Sequence, residues 1–328
     1  MALLLTEADV KAILTMPLAL EAVEDSFRRL AQETGISQSR QRLRVPGQTL
    51  LNYMAGADAA GGYLGLKLYT ISREGARFLV PLFGAQSGDL VALIEADYLG
   101  QVRTGAASGV ATRFLAREDA ATVGIIGTGL QARTQLEAVA LVRKLKTVLA
   151  FGRDRERRER FAVEMTGRLG VPVTAVSSAE QAVRGASIVI TATTAVHPVV
   201  EGRWLEPGVH INAIGVNYAQ KRELDAQAVL RADIIAADSV EQSKIEAGDL
   251  IHALGDDAAR WNVVHELSGI VAGKVAGRTR PEQITLFKSN GIAIEDIVVG
   301  GRVYERARER GLGREVGIWQ REGSAEER

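Results

Sequence analysis

A glycine-containing segment at residues 121–132, ATVGIIGTGLQA, is the strongest chemical signal in the sequence. Its first half is apolar and indicates a buried strand, and the residues after its glycines indicate a helix. Between such elements Gly127 allows a tight turn, Gly129 lets a ligand approach the backbone, and Ala132 lets helix and strand pack closely. Amides in the first turn of the helix attract phosphate. The segment therefore predicts a dinucleotide-binding turn, with an ordinary strand–helix connection as the alternative. The predicted cofactor-binding residues are Gly127, Gly129, Leu130, Gln131 and Ala132.

The end of the next predicted strand bears on which nicotinamide cofactor is bound. Sites selective for NAD place an acidic residue at this point, against the ribose hydroxyls. Here the position is Gly152, and the guanidinium of the following Arg153 suits the extra phosphate of NADPH. The sequence therefore favours NADPH. NADH stays possible because Asp154 could supply the missing carboxylate.

Composition limits the partners and the chemistry. The 328 residues include 40 basic and 40 acidic ones, so no net charge is available to attract nucleic acid or a membrane surface. Cysteine is absent and the four histidines are scattered, which excludes disulfides and thiolate chemistry and predicts no metal site. No apolar stretch of about 18 residues occurs, and the N-terminus lacks the features of a secretion signal. We therefore expect a cytoplasmic protein that acts on small molecules.

The elements that must position the glycine turn fall into two groups. Residues 1 to about 30 predict helices, the first capped by Thr6. Between residues 41 and 93, apolar segments separated by glycine-containing turns predict an antiparallel sheet. A helix is predicted over residues 101–115. These elements form the first group, and the glycine turn opens the second.

From residue 123 onward the predicted strands and helices alternate, which is typical of a parallel sheet with crossover helices. The fold class is therefore α/β, a Rossmann-type doubly wound parallel sheet plus a smaller α+β domain. The last predicted helix, from residue 293 to about 310, is expected to pack back on the first domain. The domains are predicted as residues 1–116 with 293–328, and residues 117–292. The strands of the second domain are predicted at residues 123–126, 147–151, 187–191, 210–214, 234–236 and 284–287, and its helices at about 131–145, 154–169, 178–185 and 222–231.

Several further segments, together with the glycine turn, resemble the ornithine cyclodeaminase/μ-crystallin family, which includes archaeal-type alanine dehydrogenases and ketimine reductases. The resemblance runs nearly end to end. It implies a homodimer that forms through the antiparallel domain, which also binds substrate. The segments are residues 42–46 (RLRVP), 65–67 (GLK), 103–107 (RTGAA), 124–132 (GIIGTGLQA), 207–215 (PGVHINAIG), 222–225 (RELD), 245–249 (IEAGD) and 287–296 (FKSNGIAIED).

The resemblance also implies which residues hold the substrate. In the family, basic residues bind the carboxylate of an amino or imino acid, and the matching residues here are Arg42, Lys67 and Arg103. Guanidinium forks and an ammonium group are suited to fixing a carboxylate. Arg40 and Arg44 are alternatives to Arg42. Residues at positions near the cofactor are Thr104, which matches one near the phosphate, Ser289, which matches one near the nicotinamide, and Thr193, which follows a strand end.

Two further residues bear on the reaction. Cyclodeaminases of the family carry a catalytic aspartate where this sequence has Asn217, and an amide cannot take up a proton at neutral pH. Asn217 could still orient an amine or a water, and its alternative role is a structural cap of the turn. Glu246 matches a family position near the active site, and we expect it to donate a proton or position a water. His197 could reach the cleft, with a structural role as its alternative, whereas His210 is expected to be a core residue.

The sequence therefore predicts an oxidoreductase that uses NADPH, or NADH, to reduce an imino acid to an amino acid. The substrate would be a cyclic ketimine or the imine of a 2-oxo acid, and the predicted catalytic residues are Arg42, Lys67, Arg103, Asn217 and Glu246. Two alternatives stay open. One is a lyase of the ornithine cyclodeaminase type with tightly bound NAD, against which Asn217 counts. The other is a non-catalytic NADPH-binding protein of the crystallin type.

Overall fold

The computed structural model describes residues 1–319. Its strands are β1 (Ala2–Leu5), β2 (Gly35–Ser37), β3 (Gln41–Arg44), β4 (Leu50–Asp58), β5 (Tyr63–Ser72), β6 (Gly75–Gly84), β7 (Leu90–Glu95), β8 (Thr122–Ile126), β9 (Thr147–Phe151), β10 (Val173–Ala175), β11 (Ile188–Thr191), β12 (His210–Ala213), β13 (Ile234–Ala237), β14 (Val264–Glu266), β15 (Thr285–Lys288) and β16 (Arg314–Val316). Its helices are α1 (Glu7–Ile13), α2 (Met16–Ala31), α3 (Asp97–Leu115), α4 (Leu130–Val142), α5 (Arg155–Leu169), α6 (Ala179–Val183), α7 (Ala226–Leu230), α8 (Val240–Glu246), α9 (Gly248–Leu254), α10 (Ala258–Trp261), α11 (Leu267–Val271) and α12 (Ala293–Arg310), with a 3-10 turn at Gly202–Trp204.

The chain forms two compact units. Unit 1 comprises residues 1–15, 34–100 and 293–328, and unit 2 comprises residues 16–33 and 101–292. Residues 16–33 and 101–116, which the sequence-based division gave to the first domain, thus lie in unit 2. The domain boundary after residue 116 stays a prediction, because a compact unit describes packing and not independent folding.

Unit 1 is built on a sheet with the strand order β16-β1-β7-β6-β5-β4-β2, in which β3 also pairs with β4. Neighbouring strands of this sheet are antiparallel as predicted, except that β1 and β7 are parallel. The prediction of helix from residue 1 was wrong for β1, because these residues pair with two strands distant in the sequence. The capping box predicted at Thr6 is present, with Asp9 as its second member. The polar tail after Gln320 lies outside the described residues.

The final helix, α12, packs on β4, β5 and β6 as predicted. Glycines on the strands allow this close contact. A Cβ on Gly56 would lie 3.0 Å from the backbone nitrogen of Ile294, and one on Gly65 would lie 2.9 Å from Cδ1 of Ile297. Larger side chains at these two positions would push the helix away from the sheet. The helix therefore brings its buried carboxylates, Glu295 and Asp296, onto the sheet.

Unit 2 is built on a sheet with the order β10-β9-β8-β11-β12-β15-β13-β14, and every neighbouring pair within it is parallel. Apolar side chains cover both faces. One core contains Val123, Leu136 and Phe161, and the other contains Ile211 and Leu250. The Rossmann-type doubly wound fold is therefore confirmed. Of the predicted helices, the one at 222–231 is shorter than expected, because Asp225 has an extended backbone and caps α7 by accepting from the backbone nitrogen of Ala228 at 2.7 Å.

Candidate active site

A cavity of about 1280 Å³ lies at the carboxyl ends of β8, β9 and β11 in unit 2. It is lined by residues 126–129, 151–154 and 192–199, together with Arg157. β8 lies between β9 and β11, so the chain winds in opposite directions on either side of it. Ligands of open parallel sheets bind at this point of reversal. The cavity therefore coincides with the dinucleotide site predicted from the sequence. His197 is an exposed part of its wall.

The glycine turn has the geometry that its sequence predicts. Gly127 has a φ of 110°, and a Cβ there would lie 2.3 Å from the carbonyl oxygen of Ala192. Gly129 is the N-cap of α4 with a φ of −85°, and a Cβ on it would meet no described atom within 4 Å. Gly127 is therefore needed for the backbone, whereas Gly129 leaves open space before the helix. Leu130 and Gln131 begin α4, and Ala132 is buried against the sheet.

The end of β9 carries positive charge. A Cβ on Gly152 would lie 2.8 Å from Oγ1 of Thr128, so a larger residue would crowd the glycine turn. Arg153 and Arg157 are exposed and line the cavity. The carboxylate of Asp154 accepts a hydrogen bond from the backbone nitrogen of Arg157 at 3.0 Å and caps α5. Asp154 therefore caps α5, which makes it a weaker candidate for the acidic residue that binds the ribose hydroxyls in an NAD-selective site.

A buried carboxylate with no role predicted from the sequence joins the cavity loop after β11 to the segment after β12. Oε1 of Glu223 accepts hydrogen bonds from the backbone nitrogen and the hydroxyl of Thr193, both at 2.7 Å. Its Oε2 accepts from the hydroxyl of Thr191 at 2.9 Å and from the backbone nitrogen of Gly215 at 2.8 Å. Burial raises the pKa of the Glu223 carboxyl, and the neighbouring Asp249 raises it further. Glu223 therefore fixes the segments that follow β11 and β12.

A second pair of buried charges supports Glu223. Oδ1 of Asp249 accepts from the backbone nitrogens of Glu223 and Leu224, at 2.6 and 2.8 Å. Its Oδ2 lies 2.8 Å from Nζ of Lys288, which also donates to the carbonyl oxygen of Val216 at 2.7 Å. The signal in the sequence that could have revealed this pair is Lys288 at the end of the apolar strand β15, since a buried charge needs a buried partner.

The turn at residues 289–291 is held by Asp238. This buried carboxylate accepts from the hydroxyl of Ser289 at 3.0 Å and from the backbone nitrogens of Asn290 and Gly291 at 2.7 and 2.6 Å. Burial raises the pKa of Asp238, and the hydrogen bonds from the turn oppose that shift. The hydroxyl of Ser289 is therefore bound to Asp238, and the turn has one fixed shape.

Two predicted catalytic residues, Arg103 and Asn217, lie against that turn, and a third, Glu246, is linked to it through Gln242. Gly291 has a φ of 76°, and a Cβ on it would lie 2.8 Å from Nη1 of Arg103. Nδ2 of Asn217 lies 3.5 Å from the carbonyl oxygen of Asn290. Nε2 of Gln242 donates to the carboxylate of Glu246 at 2.6 Å and to the carbonyl oxygen of Gly291 at 3.1 Å. Arg103 and Glu246 are buried and Asn217 is half-buried. Unit 2 thus gathers a cation, a carboxylate and an amide from distant parts of the chain.

Thr104 is held against the glycine-turn helix. Its carbonyl oxygen accepts from Nε2 of Gln135 on α4 at 3.0 Å. The next residue, Gly105, is so close to α4 that a Cβ on it would lie 2.4 Å from the carbonyl oxygen of Thr134. This close packing of α3 and α4 fixes Thr104 beside the helix whose first turn borders the cavity.

The remaining predicted residues belong to unit 1. Lys67 on β5 is buried, and its Nζ lies 2.7 Å from Oδ1 of Asp296 on α12. Arg42 is half-buried on β3, whereas Arg44 is exposed and Arg40 is buried. Opposite residues of an antiparallel pair share a face, and the pairings through β4 place Arg42 and Lys67 on the same face of the sheet. The choice of Arg42 over Arg40 stays a prediction.

Two of the general expectations concern absences. Among residues 1–319, no group of three or more histidine, aspartate or glutamate side chains is placed to hold a metal ion. No helix in that same range has both the length and the hydropathy to cross a membrane.

Comparison with known proteins connects this geometry to chemistry. Over 261 residues the chain is 38% identical to a Δ1-pyrroline-2-carboxylate reductase of Bacillus cereus, a match that covers 77% of this chain and 80% of the relative. The structure of Δ1-pyrroline-2-carboxylate reductase from Thermococcus litoralis, in complex with NADH and L-proline, superposes with a TM-score of 0.91 at 36% identity and covers 96% of this chain and all (100%) of the other. An archaeal alanine dehydrogenase dimer with bound NAD superposes with a TM-score of 0.91 at 31% identity, over 97% of this chain and 99% of the other.

The relatives therefore share the whole architecture of both units and include reductases and a dehydrogenase with nicotinamide cofactors. The model of the ornithine cyclodeaminase/mu-crystallin family matches residues 1–311. This chain belongs to the ornithine cyclodeaminase/mu-crystallin family.

Proposed function

We propose that this protein is an NAD(P)H-dependent oxidoreductase that reduces an imino acid to an amino acid. The observation that carries the proposal is that Arg103 and Asn217 lie against the turn at residues 289–291 and that Gln242 links Glu246 to the same turn. A cation, an amide and a carboxylate are the groups needed to hold an imino acid and to supply its proton. The names of the relatives support the same class of reaction.

A nicotinamide dinucleotide fits the residues of unit 2. The cavity has room for it, Gly129 leaves the first turn of α4 open, and the amides of that turn are suited to a pyrophosphate. Its holders would be Gly127, Gly129, Leu130, Gln131 and Ala132 at the turn, Gly152 and Arg153 after β9, and Thr104, Thr193 and Ser289 around it. When bound in reduced form, this group supplies a hydride.

The residues of the chain bind and orient the substrate. Arg42, Lys67 and Arg103 are the proposed ligands of its carboxylate, which leaves the imine carbon in a fixed orientation. Asn217 can hydrogen bond the imine nitrogen or a water beside it. Glu246, buried and bonded to Gln242, is the proposed source of the proton or the anchor of the water that delivers it.

The lyase alternative lacks the aspartate that cyclodeaminases of the family carry at the position of Asn217. A cyclodeaminase must deprotonate an amine, and the amide of Asn217 cannot do so. Glu223 and Asp238 do not replace such a base, because their oxygen atoms are hydrogen bonded to the backbone and hydroxyl groups that they hold. We therefore place the reductase ahead of the lyase.

For the cofactor we propose NADPH ahead of NADH. The support is local: Arg153 and Arg157 line the cavity at the end of β9, Gly152 brings no carboxylate, and Asp154 caps α5. A 2′-phosphate would find two guanidinium groups, and the carboxylate of Asp154, which also lines the cavity, is engaged at the start of α5.

We also propose that the protein is a homodimer formed through the outer face of the unit 1 sheet. Exposed apolar side chains lie side by side on that face, and such patches mark interfaces. They include Ile36, Leu43, Tyr53, Leu64 and Leu79, and a surface cavity of about 370 Å³ lies among Ile36, Leu64 and Phe83. The related archaeal alanine dehydrogenase is a dimer.

Light scattering of the purified protein tests the dimer. Leu64→Glu should yield a monomer, because it would bury a charge in the interface. The control Val163→Glu changes another exposed apolar residue on α5 and should stay dimeric. A monomeric wild type, or a dimer that tolerates Leu64→Glu, would contradict the assignment of this face.

The reaction is tested by following nicotinamide oxidation by the purified protein. The substrates are Δ1-pyrroline-2-carboxylate, Δ1-piperideine-2-carboxylate, and pyruvate with ammonia or methylamine. We expect turnover with at least one of them, and its loss in Arg103→Met with cofactor binding retained. Cofactor binding without any turnover would favour the binding protein. Conversion of ornithine to proline and ammonia without added cofactor would establish the lyase.

A further inference from the structure

Asn52 is a buried amide that the protein itself does not satisfy. It lies in the middle of β4 and is fully buried. Neither its Nδ2 nor its Oδ1 has a hydrogen-bond partner among the residues that the structure describes. Burying an amide without partners costs free energy, and native proteins seldom keep such a group without a use for it. A ligand that offers both an acceptor and a donor would remove that cost.

The register of the strands gives Asn52 a particular neighbourhood. Its partner on β3 is Arg42, and its partner on β5 is Tyr69. Two residues further along the same face of β4, Met54 is paired with Lys67. The amide therefore lies on the face that carries Arg42 and Lys67, the two cations of this unit that we propose as carboxylate ligands.

These cations can recognise only part of an imino acid. Guanidinium and ammonium groups donate hydrogen bonds and accept none, so Arg42 and Lys67 would bind any small carboxylate equally well. An amide adds an acceptor. In a protonated α-imino acid, the carboxylate carbon and the imine nitrogen are both bonded to the imine carbon, so a carboxylate oxygen and the N–H group can both face one amide. Asparagine uses the same paired geometry when it binds the edge of adenine.

We propose that Asn52 is a substrate contact that selects the imino acid over the corresponding 2-oxo acid. Its Nδ2 donates to a carboxylate oxygen of the substrate, and its Oδ1 accepts from the protonated imine nitrogen. A 2-oxo acid would turn a carbonyl oxygen toward Oδ1, and two acceptors repel each other. This inference rests on the proposed function, since it assigns a further residue to the same substrate.

The test uses two flat ring ligands that differ at one atom. Pyrrole-2-carboxylate presents an N–H beside its carboxylate, whereas furan-2-carboxylate presents a ring oxygen. Dissociation constants of both are measured by calorimetry for the wild type and Asn52→Leu in the presence of cofactor, and kcat and KM are measured for Δ1-pyrroline-2-carboxylate. The control Thr70→Val removes a polar group from the neighbouring strand β5, on the other face of the sheet.

We expect the wild type and Thr70→Val to prefer the pyrrole by about ten-fold or more, because a site built to accept an N–H rejects the analogue without it. Asn52→Leu should lose that preference and raise KM by a similar factor, while its thermal stability equals or exceeds that of the wild type. Asn52→Asp keeps the acceptor but repels the carboxylate, so it should bind both ligands weakly. This second variant reports on the contact even if the leucine variant folds poorly.

The outcomes separate the two proposals. If the wild type reduces imino acids but Asn52→Leu keeps its KM and its ligand preference, the role of Asn52 is refuted and the proposed function stands. If the wild type neither reduces an imino acid nor binds either ring ligand, the proposed function fails and the role of Asn52 fails with it.

Discussion

Lys67→Met, compared with the double variant Lys67→Met/Asp296→Asn, separates the structural role of Lys67 from its proposed role in binding substrate. The Lys67–Asp296 pair joins atoms 2.7 Å apart, with side chains that are 3% and 0% exposed. Removing the ammonium group leaves the carboxylate of Asp296 buried without this partner. Breaking a buried pair on one side costs ~3–5 kcal/mol, and we expect a loss of unfolding free energy in that range.

The double variant Lys67→Met/Asp296→Asn removes both charges. It should recover most of the lost stability, because replacing both partners of a buried pair by neutral groups is often close to neutral. Its activity should not recover. A charged hydrogen bond to the substrate carboxylate contributes about 1.5–3 kcal/mol, which corresponds to a loss of kcat/KM of at least about ten-fold in both variants.

The assay combines chemical denaturation, cofactor titration and steady-state kinetics on the three proteins. Cofactor affinity should change little, because Lys67 belongs to unit 1 and the proposed cofactor residues belong to unit 2. The reasoning is refuted if the double variant regains turnover along with stability, since Lys67 would then serve only the fold. It is equally refuted if the single variant is as stable and as active as the wild type.

Three further predictions, with four substitutions, test the site and the core. Arg153→Asp should shift preference from NADPH toward NADH, because a carboxylate would bind ribose hydroxyls and repel a 2′-phosphate; an unchanged ratio of kcat/KM values contradicts this. Gly129→Ala should fold normally, since its φ of −85° suits alanine, but it should bind the cofactor more weakly. Gly127→Ala should lose stability, because its φ is 110° and the added Cβ would lie 2.3 Å from a carbonyl oxygen. Equal melting temperatures of the two variants would contradict this prediction. His210 is buried between Thr285 and Asn212, and burial lowers its pKa to about 3. It is therefore neutral in the folded protein, whereas in the unfolded chain it takes up a proton as the pH falls below about 6.5. Unfolding free energy should therefore fall by up to about 1.4 kcal/mol per pH unit between about pH 6 and pH 4, and His210→Gln should reduce this slope; the same slope in both proteins would argue against a neutral buried histidine.

The glycine turn shows how much of the site local sequence can predict. Gly127, Gly129 and Ala132 follow from short-range geometry, because a tight turn and an open helix start each require small residues at fixed spacing. The cap at Thr6 was predicted for the same reason, since capping joins residues three apart. The resemblance to the family added Arg103, Asn217 and Glu246 as separate positions.

Elements that depend on distant partners were missed. β1 was mistaken for helix because four apolar residues suit either structure, and only its pairing with β7 and β16 makes it a strand. Glu223 was matched to a family segment, but its role as the link between Thr193 and Gly215 depends on the packing of β11 beside β12 and could not be predicted from residue spacing.

The sequence by itself determined the class of fold, the place of the dinucleotide turn and the types of residue that could bind an imino acid, because each of these depends on local periodicity or on a short motif. Tertiary structure decided which of those residues meet. It brought Arg103 and Asn217 to one turn that Asp238 holds, and it linked Glu246 to that turn through Gln242. It also left the amide of Asn52 buried beside Arg42 without a partner among the described residues. Burial and hydrogen-bond satisfaction are properties of the packed chain, so they become visible only when segments far apart in sequence are in contact.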